Sequence, residues 1–217
     1  MSLKKEEVLT RIREIGLLPV LRANSVDEAM ALAAAIEAGG VTALEVTMTV
    51  PGALEVIRQL VRETNGRILI GAGTVLDPET ARACMLAGAE FIVSPSLNLK
   101  TIEICRRYSV PVMPGALTPT EVVTAWEAGA DVVKVFPCSA LGGASYLKAL
   151  KGPLPQIELI PTGGVSLATA AEFLTAGAFA LGVGSDLVNL KAIADGKPEL
   201  ITLAAREYIT IIRSFRR

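Results

Sequence analysis

The chain has 217 residues, with hydrophobic side chains at 51%, aromatic ones at only 4% and a formal net charge of −1. That length suits one compact α/β domain, 1–217, with a core of Ala, Val, Leu and Ile, and the charge offers no basis for nucleic acid or an anionic membrane as partner. Histidine is absent, which excludes His-ligated zinc, a Ser-His-Asp triad and any imidazole acid or base, and leaves proton transfer to a carboxylate, an amine, a tyrosine, a thiol or water.

Cys84, Cys105 and Cys138 are odd in number and show neither paired nor metal-ligand spacing. They predict reduced thiols in a cytoplasmic protein. No secretory leader and no apolar run of bilayer-spanning length is expected. Met1-Ser2-Leu3 reads equally as a native start or a cloning remnant, and Arg213-Ser214-Phe215-Arg216-Arg217 as a solvated helix end.

In chain order, residues 4–15 carry Val8, Leu9, Ile12 and Ile15 at helical spacing and stop at Gly16. Short apolar runs then alternate with longer amphipathic ones. The runs at 17–21, 43–47, 68–71, 91–94, 110–113, 132–136, 157–161 and 180–184 make eight strand candidates. They recur at intervals of about 20–25 residues with a helical pattern after each, which is the βα period of a (β/α)₈ TIM barrel, here with an extra N-terminal helix. An internal repeat supports the count. Ala38-Gly39-Gly40, Ala87-Gly88-Ala89, Ala128-Gly129-Ala130 and Ala176-Gly177-Ala178 precede the second, fourth, sixth and eighth strands, where a left-handed helix cap calls for glycine. Ser25 with Glu28, and Thr118 with Glu121 after Pro119, read as capping boxes.

In such a barrel the reacting groups stand at the C-terminal ends of the strands. The first strand ends at Arg22, either a clamp for carboxylate or phosphate or an ordinary surface arginine. On the second, alternation places Ala43, Glu45 and Thr47 on one face and Leu44 and Val46 on the other. Leu and Val belong against the helices, so Glu45 points inward, where a carboxyl group suits general acid/base work. The third ends in Gly71-Ala72-Gly73-Thr74, a close-approach turn for a ligand or simply a tight turn into a helix. Ser94-Pro95-Ser96 and Pro114-Gly115 close the fourth and fifth.

The sixth strand holds the most unusual residue. In Asp131-Val132-Val133-Lys134-Val135-Phe136 the same packing logic turns Lys134 inward with Val132 and Phe136. A buried ammonium is costly unless paired or neutralised. Lys134 is therefore half of a structural ion pair with Glu45 or a nucleophilic amine, and the second is favoured because buried pairs gain little over apolar packing. The seventh and eighth strands end in Pro161-Thr162-Gly163-Gly164 and Gly182-Val183-Gly184-Ser185, glycine pairs of the kind whose backbone N–H groups hold phosphate at those two strands. An inward amine, an adjacent carboxylate and a phosphate grip add up to a metal-independent Schiff-base aldolase for a phosphorylated keto-sugar acid or sugar.

These residues resemble the 2-keto-3-deoxy-6-phosphogluconate (KDPG) aldolase family, which includes 4-hydroxy-2-oxoglutarate aldolases. The similarity spans essentially the whole chain. It is carried by Gly39-Gly40-Val41, Leu44-Glu45-Val46-Thr47, Ile70 to Val75, Phe91 to Pro95, Met113-Pro114-Gly115, Val133 to Pro137, Pro161 to Val165 and Gly182 to Ser185. The resemblance implies Lys134 as the Schiff-base lysine and Glu45 as the acid/base, acting through a bound water. It implies Thr74 and the turn through Gly73 as the hold on the pyruvate carboxylate, with Pro95, Phe136 and Thr162 lining the substrate pocket. Gly163, Gly164, Gly184 and Ser185 would take the phosphate. It further implies cleavage of KDPG to pyruvate and glyceraldehyde 3-phosphate, no cofactor and no metal, a small-molecule phosphorylated keto-acid substrate and a homotrimer.

One position departs from the pattern. Many members carry an arginine four residues after the glutamate, where this chain has Thr49, and Arg22 is the residue expected to take its role. The same mechanism on 4-hydroxy-2-oxoglutarate or on the galactonate epimer of KDPG is the second reading, and a non-catalytic phosphate-binding barrel a remote third.

Overall fold

The structure, a computed structural model, describes residues 3–215. Met1, Ser2, Arg216 and Arg217 lie outside the described residues, and with them parts of the expectations for the two ends.

The chain forms an α/β fold with a curled parallel sheet. Helix α1 (Lys5–Ile15) leads into β1 (Leu17–Leu21), followed by α2 (Val26–Ala38), β2 (Ala43–Thr47), α3 (Ala53–Thr64) and β3 (Leu69–Gly73). Next come α4 (Pro78–Ala87), β4 (Ile92–Val93), α5 (Leu99–Arg107), β5 (Val112–Met113), β6 (Gly115–Ala116) and α6 (Pro119–Glu127). The last third holds β7 (Val133–Val135), a 3-10 turn at Cys138–Leu141, α7 (Ala144–Lys151), β8 (Leu159–Pro161), α8 (Ala170–Thr175), β9 (Leu181–Val183), α9 (Leu190–Ala194) and α10 (Glu199–Phe215). The strands pair in parallel in the orders β5-β4-β3-β2-β1-β9 and β6-β7-β8. A bridge between Thr162 and Gly182 joins the β8 side to β9.

Two strands differ from the sequence reading for local reasons. The expected fifth strand, 110–113, begins at Val112 and resumes after Pro114 as β6. Proline offers no N–H to the ladder, yet the backbone keeps its course: the Pro114 carbonyl accepts from Lys134 N at 2.9 Å, and Gly115 N donates to Ser96 O at 3.3 Å. The lysine-bearing sixth strand of the sequence is therefore β7. The third strand, expected at 68–71, runs from Leu69 to Gly73, its upper half concealed in the sequence by two glycines. The helix signals act as their chemistry dictates. Ser25 accepts from Glu28 N at 3.2 Å, but the Glu28 carboxylate takes Asn24 N instead of Ser25 N, so of the two expected boxes Thr118 and Glu121 bond reciprocally. In the four Ala-Gly repeats the left-handed residue is Gly40, Gly88, Gly129 and Gly177.

Alternation along the strands sorts the core into two shells. Leu44, Val46, Ile70, Val133 and Val135 face outward into one apolar cluster with the helices. Leu18, Ala43, Leu69, Phe91, Val132 and Ile160 face inward in a second cluster, which Val8 and Ile12 of α1 complete. Lys5 fastens the start of that helix to Asp131 at 2.7 Å, next to β7. The apolar stripe of α1 thus packs into the interior rather than onto the helical layer.

Candidate active site

One pleat further along the same inward faces, apolar side chains give way to polar ones. Glu45 and Thr47 follow Ala43 on β2, Lys134 follows Val132 on β7, and Thr162 follows Ile160 at the end of β8. All are buried, Glu45 at 1% and Lys134 at 5% exposure. Cross-strand pairing places Glu45 beside Val20 and Gly71, and Lys134 beside Gly115 and Ile160. Across the interior, Lys134 Nζ stands 3.6 Å from Glu45 Oε1, and 5.4 Å from the centroid of the Phe136 ring. That separation is an ion contact but lies beyond hydrogen-bond length. Glu45 Oε1 is fully buried and accepts no hydrogen bond among the described residues. A pair that only stabilised the fold would need its polar valences satisfied to offset desolvation. Here the carboxylate keeps acceptor capacity beside an amine.

The neighbouring backbone is shaped around that carboxylate. A Cβ at Gly73 would fall 1.9 Å from Glu45 Oε1, so no side chain fits there without displacing the glutamate. Thr74, the next residue, has φ of 57°, a left-handed conformation that a β-branched residue holds only under constraint from its surroundings. Thr47 Oγ1 donates to Leu21 O at 3.0 Å and contacts Thr49 Oγ1 at 2.7 Å, so Thr49 is tied to its own strand end. Pro95 lies against Gly115, the cross-strand partner of Lys134.

Above this pair opens a cavity of about 480 Å³, lined by Arg22, Phe136, Thr162 and the two glycine turns, 163–166 and 184–186. Gly163 and Gly164 have φ of 88° and 78°, successive left-handed residues that turn their amides outward. The Gly163 amide faces Gly182 O in the bridge to β9, while among the described residues the amides of Gly164 and Ser185 donate to no backbone acceptor. Arg22 is exposed and takes part in no ion pair among the described residues. The arrangement offers a cation and free amides for an anionic group at the mouth, and an amine with a carboxylate below. Phe136 links the two levels, since it lines the cavity and its ring lies near Lys134 Nζ. Lys134, Glu45, Gly73, Thr74 and Pro95 do not line the mouth cavity itself.

The thiols contribute no nucleophile. All three are buried, and burial pushes Cys84 and Cys138 up to about 11 and Cys105 to about 12. Among the described residues no group of three or more Cys, Asp or Glu is placed to hold a metal ion.

The family model for KDPG and KHG aldolase matches residues 8–203. The chain belongs to that aldolase family. It is 33% identical over 213 residues to the 2-dehydro-3-deoxy-phosphogluconate aldolase of Haemophilus influenzae, covering 98% of this chain and 100% of that one. It is 39% identical over 175 residues to the 2-dehydro-3-deoxy-6-phosphogalactonate aldolase of Escherichia coli, covering 80% and 85%. Its structure matches the KDPG aldolase of Legionella pneumophila, solved with pyruvate captured as a covalent carbinolamine, with a TM-score of 0.85 at 31% identity over 91% of this chain and 96% of that chain. As a member of this aldolase family the chain is a carbon–carbon lyase.

Two residues at or behind the candidate site escape the sequence reading. Asp186, in the second glycine turn, lines the mouth cavity and accepts through Oδ2 from Tyr208 OH at 2.5 Å and from Leu167 N at 3.2 Å. Tyr208 is wholly buried on α10. Asp186 sits beside a quoted motif, but Tyr208 is 22 residues away, in a helix whose apolar spacing makes a tyrosine look like ordinary core.

Proposed function

We propose that this protein is a class I, metal-independent aldolase that cleaves KDPG to pyruvate and glyceraldehyde 3-phosphate through a Schiff base on Lys134. The observation that carries the reading is the buried amine 3.6 Å from a carboxylate oxygen with no hydrogen bond of its own. The free amine of Lys134 adds to the C2 carbonyl, giving a carbinolamine that loses water to an iminium. Glu45, through a bound water, takes the C4 hydroxyl proton. The C3–C4 bond breaks, its electrons pass into the iminium as an enamine, and the aldehyde leaves. Protonation at C3 and hydrolysis release pyruvate and restore the lysine. Thr74 and Gly73 hold the carboxylate end, Pro95, Phe136 and Thr162 line the pocket, and Arg22 clamps an anionic group in place of the arginine absent at Thr49. Gly163, Gly164, Gly184 and Ser185 take the phosphate. The enzyme is a single (β/α)₈ TIM barrel over 1–217 with α1 as the extra N-terminal helix, and it works as a cytoplasmic homotrimer. The carbinolamine of the Legionella pneumophila relative supports the covalent step.

The Escherichia coli phosphogalactonate relative favours a second substrate with the same mechanism. Pyruvate release is to be measured from KDPG, its galactonate epimer and 4-hydroxy-2-oxoglutarate, each with a metal chelator present. The expected result is chelator-insensitive cleavage with kcat/KM for a phosphorylated substrate at least about tenfold above that for the unphosphorylated one, the worth of a charge-assisted grip. Preference for the unphosphorylated compound would overturn the phosphate assignment, and no release from any of the three would overturn the aldolase reading.

A further inference from the structure

We infer that Tyr208 and Asp186 are positioning residues for the phosphate grip, holding the second glycine turn in place against the first. The inference rests on the reading of those turns as that grip. The two turns are secured by different means. Around the first, Thr169 Oγ1 accepts from Ser166 N at 2.9 Å and lies 3.0 Å from Gly164 O, and Gly163 O accepts from Ser139 N at 3.2 Å, so a nearby threonine and the backbone of the 3-10 turn hold it. Among the described residues the second turn's own backbone bonds lie at its base, from Leu187 N and Val188 N to Gly184 O at 3.1 and 2.9 Å. Its side-chain anchor is Asp186, whose Oδ2 receives both the Leu167 amide, from just beyond the first turn, and the Tyr208 hydroxyl, from the last helix. One carboxylate oxygen therefore joins three segments that are far apart in sequence.

The chemistry suits this role better than contact with the ligand. A carboxylate at the rim of an anion site repels the anion rather than binding it. Two donors converge on a single oxygen of Asp186, and a hydrogen bond to a charged group is the stronger kind. Burial, and then the bond to Asp186, push the Tyr208 hydroxyl well above its ordinary value, so it stays protonated and donating at every working pH. Tyr208 has no exposure to the cavity and acts only through Asp186.

The test is Tyr208→Phe, which keeps the ring in the core and removes only the donor. Its steady-state kinetics are to be measured on KDPG and on unphosphorylated 4-hydroxy-2-oxoglutarate, with the inhibition constant for inorganic phosphate and the melting temperature. The expected result is KM for KDPG, and the inhibition constant for phosphate, raised about three- to tenfold for one lost hydrogen bond to a charged group, with kcat and the unphosphorylated reaction unchanged. Asp186→Ala, which also releases the Leu167 amide, should raise the same two quantities further. Equal losses on both substrates, or a lowered melting temperature with unchanged KM, would make the contact structural and overturn the inference. A parent enzyme that prefers the unphosphorylated substrate and ignores inorganic phosphate would instead overturn the reading of the grip on which it rests.

Discussion

Along β2 the inward face carries Ala43 and then Glu45 and Thr47; along β7 Val132 is followed by Lys134, and on β8 Ile160 by Thr162. The lower level of the interior is closed by Val8 and Ile12 of α1 against Leu18, Leu69 and Phe91. The upper level brings an amine to 3.6 Å from a carboxylate beneath a mouth built of glycine turns. The same strands, with the same alternation, thus hold two kinds of interior: close apolar packing below, and a buried amine beside a carboxylate above. The cost of a mutation should therefore appear differently at the two levels. Damage below should be read in stability at constant rate, and damage above in rate.

The sharpest break lies in the upper level. Lys134→Met should lower turnover by at least about a thousandfold, as loss of a covalent nucleophile does. It should also lower stability at neutral pH by about 3–5 kcal/mol, because Glu45 is left buried without its partner. Adding Glu45→Leu should restore stability to the parent value or above while activity stays lost, since an apolar pair of similar volume avoids the desolvation of two ions. Urea unfolding of both variants checks this. A double variant as unstable as the single one would mean that the pair holds the fold together.

The complementary break lies below. Ile12→Ala removes a fully buried side chain from the cluster under the strands, and should cost about 2–5 kcal/mol by lost transfer and cavity formation. The kcat of the molecules that remain folded should not change. A fall in kcat at full folding would show that α1 shapes the site as well as closing the interior.

The smallest effect concerns the outer shell and alkaline pH. Cys84, Cys105 and Cys138 have folded values of about 11, 12 and 11 against 9.0 for a free thiol. The unfolded chain therefore loses these protons first. Their contribution to stability is fully present below pH 9 and is lost as pH rises toward 11 to 12. Cys105→Ala should flatten that decline of the urea midpoint between pH 9 and 11, and an unchanged slope would count against the buried environment.

How much of this was legible in the sequence follows from the same two-level contrast. Glu45 and Lys134 stood out because they interrupt apolar strands whose Leu and Val neighbours must face the helices, so period-two alternation alone turns them inward. The glycine turns after β8 and β9 could be read because such pairs at strand ends have few other uses. Their separation from Lys134 and Glu45, with Phe136 between, could not, because distance across a curled sheet has no local signature. Gly73 looked like a turn residue, and its actual constraint is the space taken by Glu45 from the next strand. The continuation of β5 beyond Pro114 was hidden because proline reads as a strand end. The Tyr208–Asp186 contact was invisible for a similar reason, since a tyrosine on the apolar stripe of α10 resembles any core residue until its hydroxyl is placed.

The claim on which the rest depends is that Lys134 is a nucleophile and not a filler of the interior. Incubation with pyruvate and borohydride, followed by peptide mass spectrometry, tests it most directly. A reduced pyruvate adduct is expected on Lys134 and on no other lysine, absent in Lys134→Met. Folded parent protein that gives no adduct, or an adduct on another lysine, would contradict it.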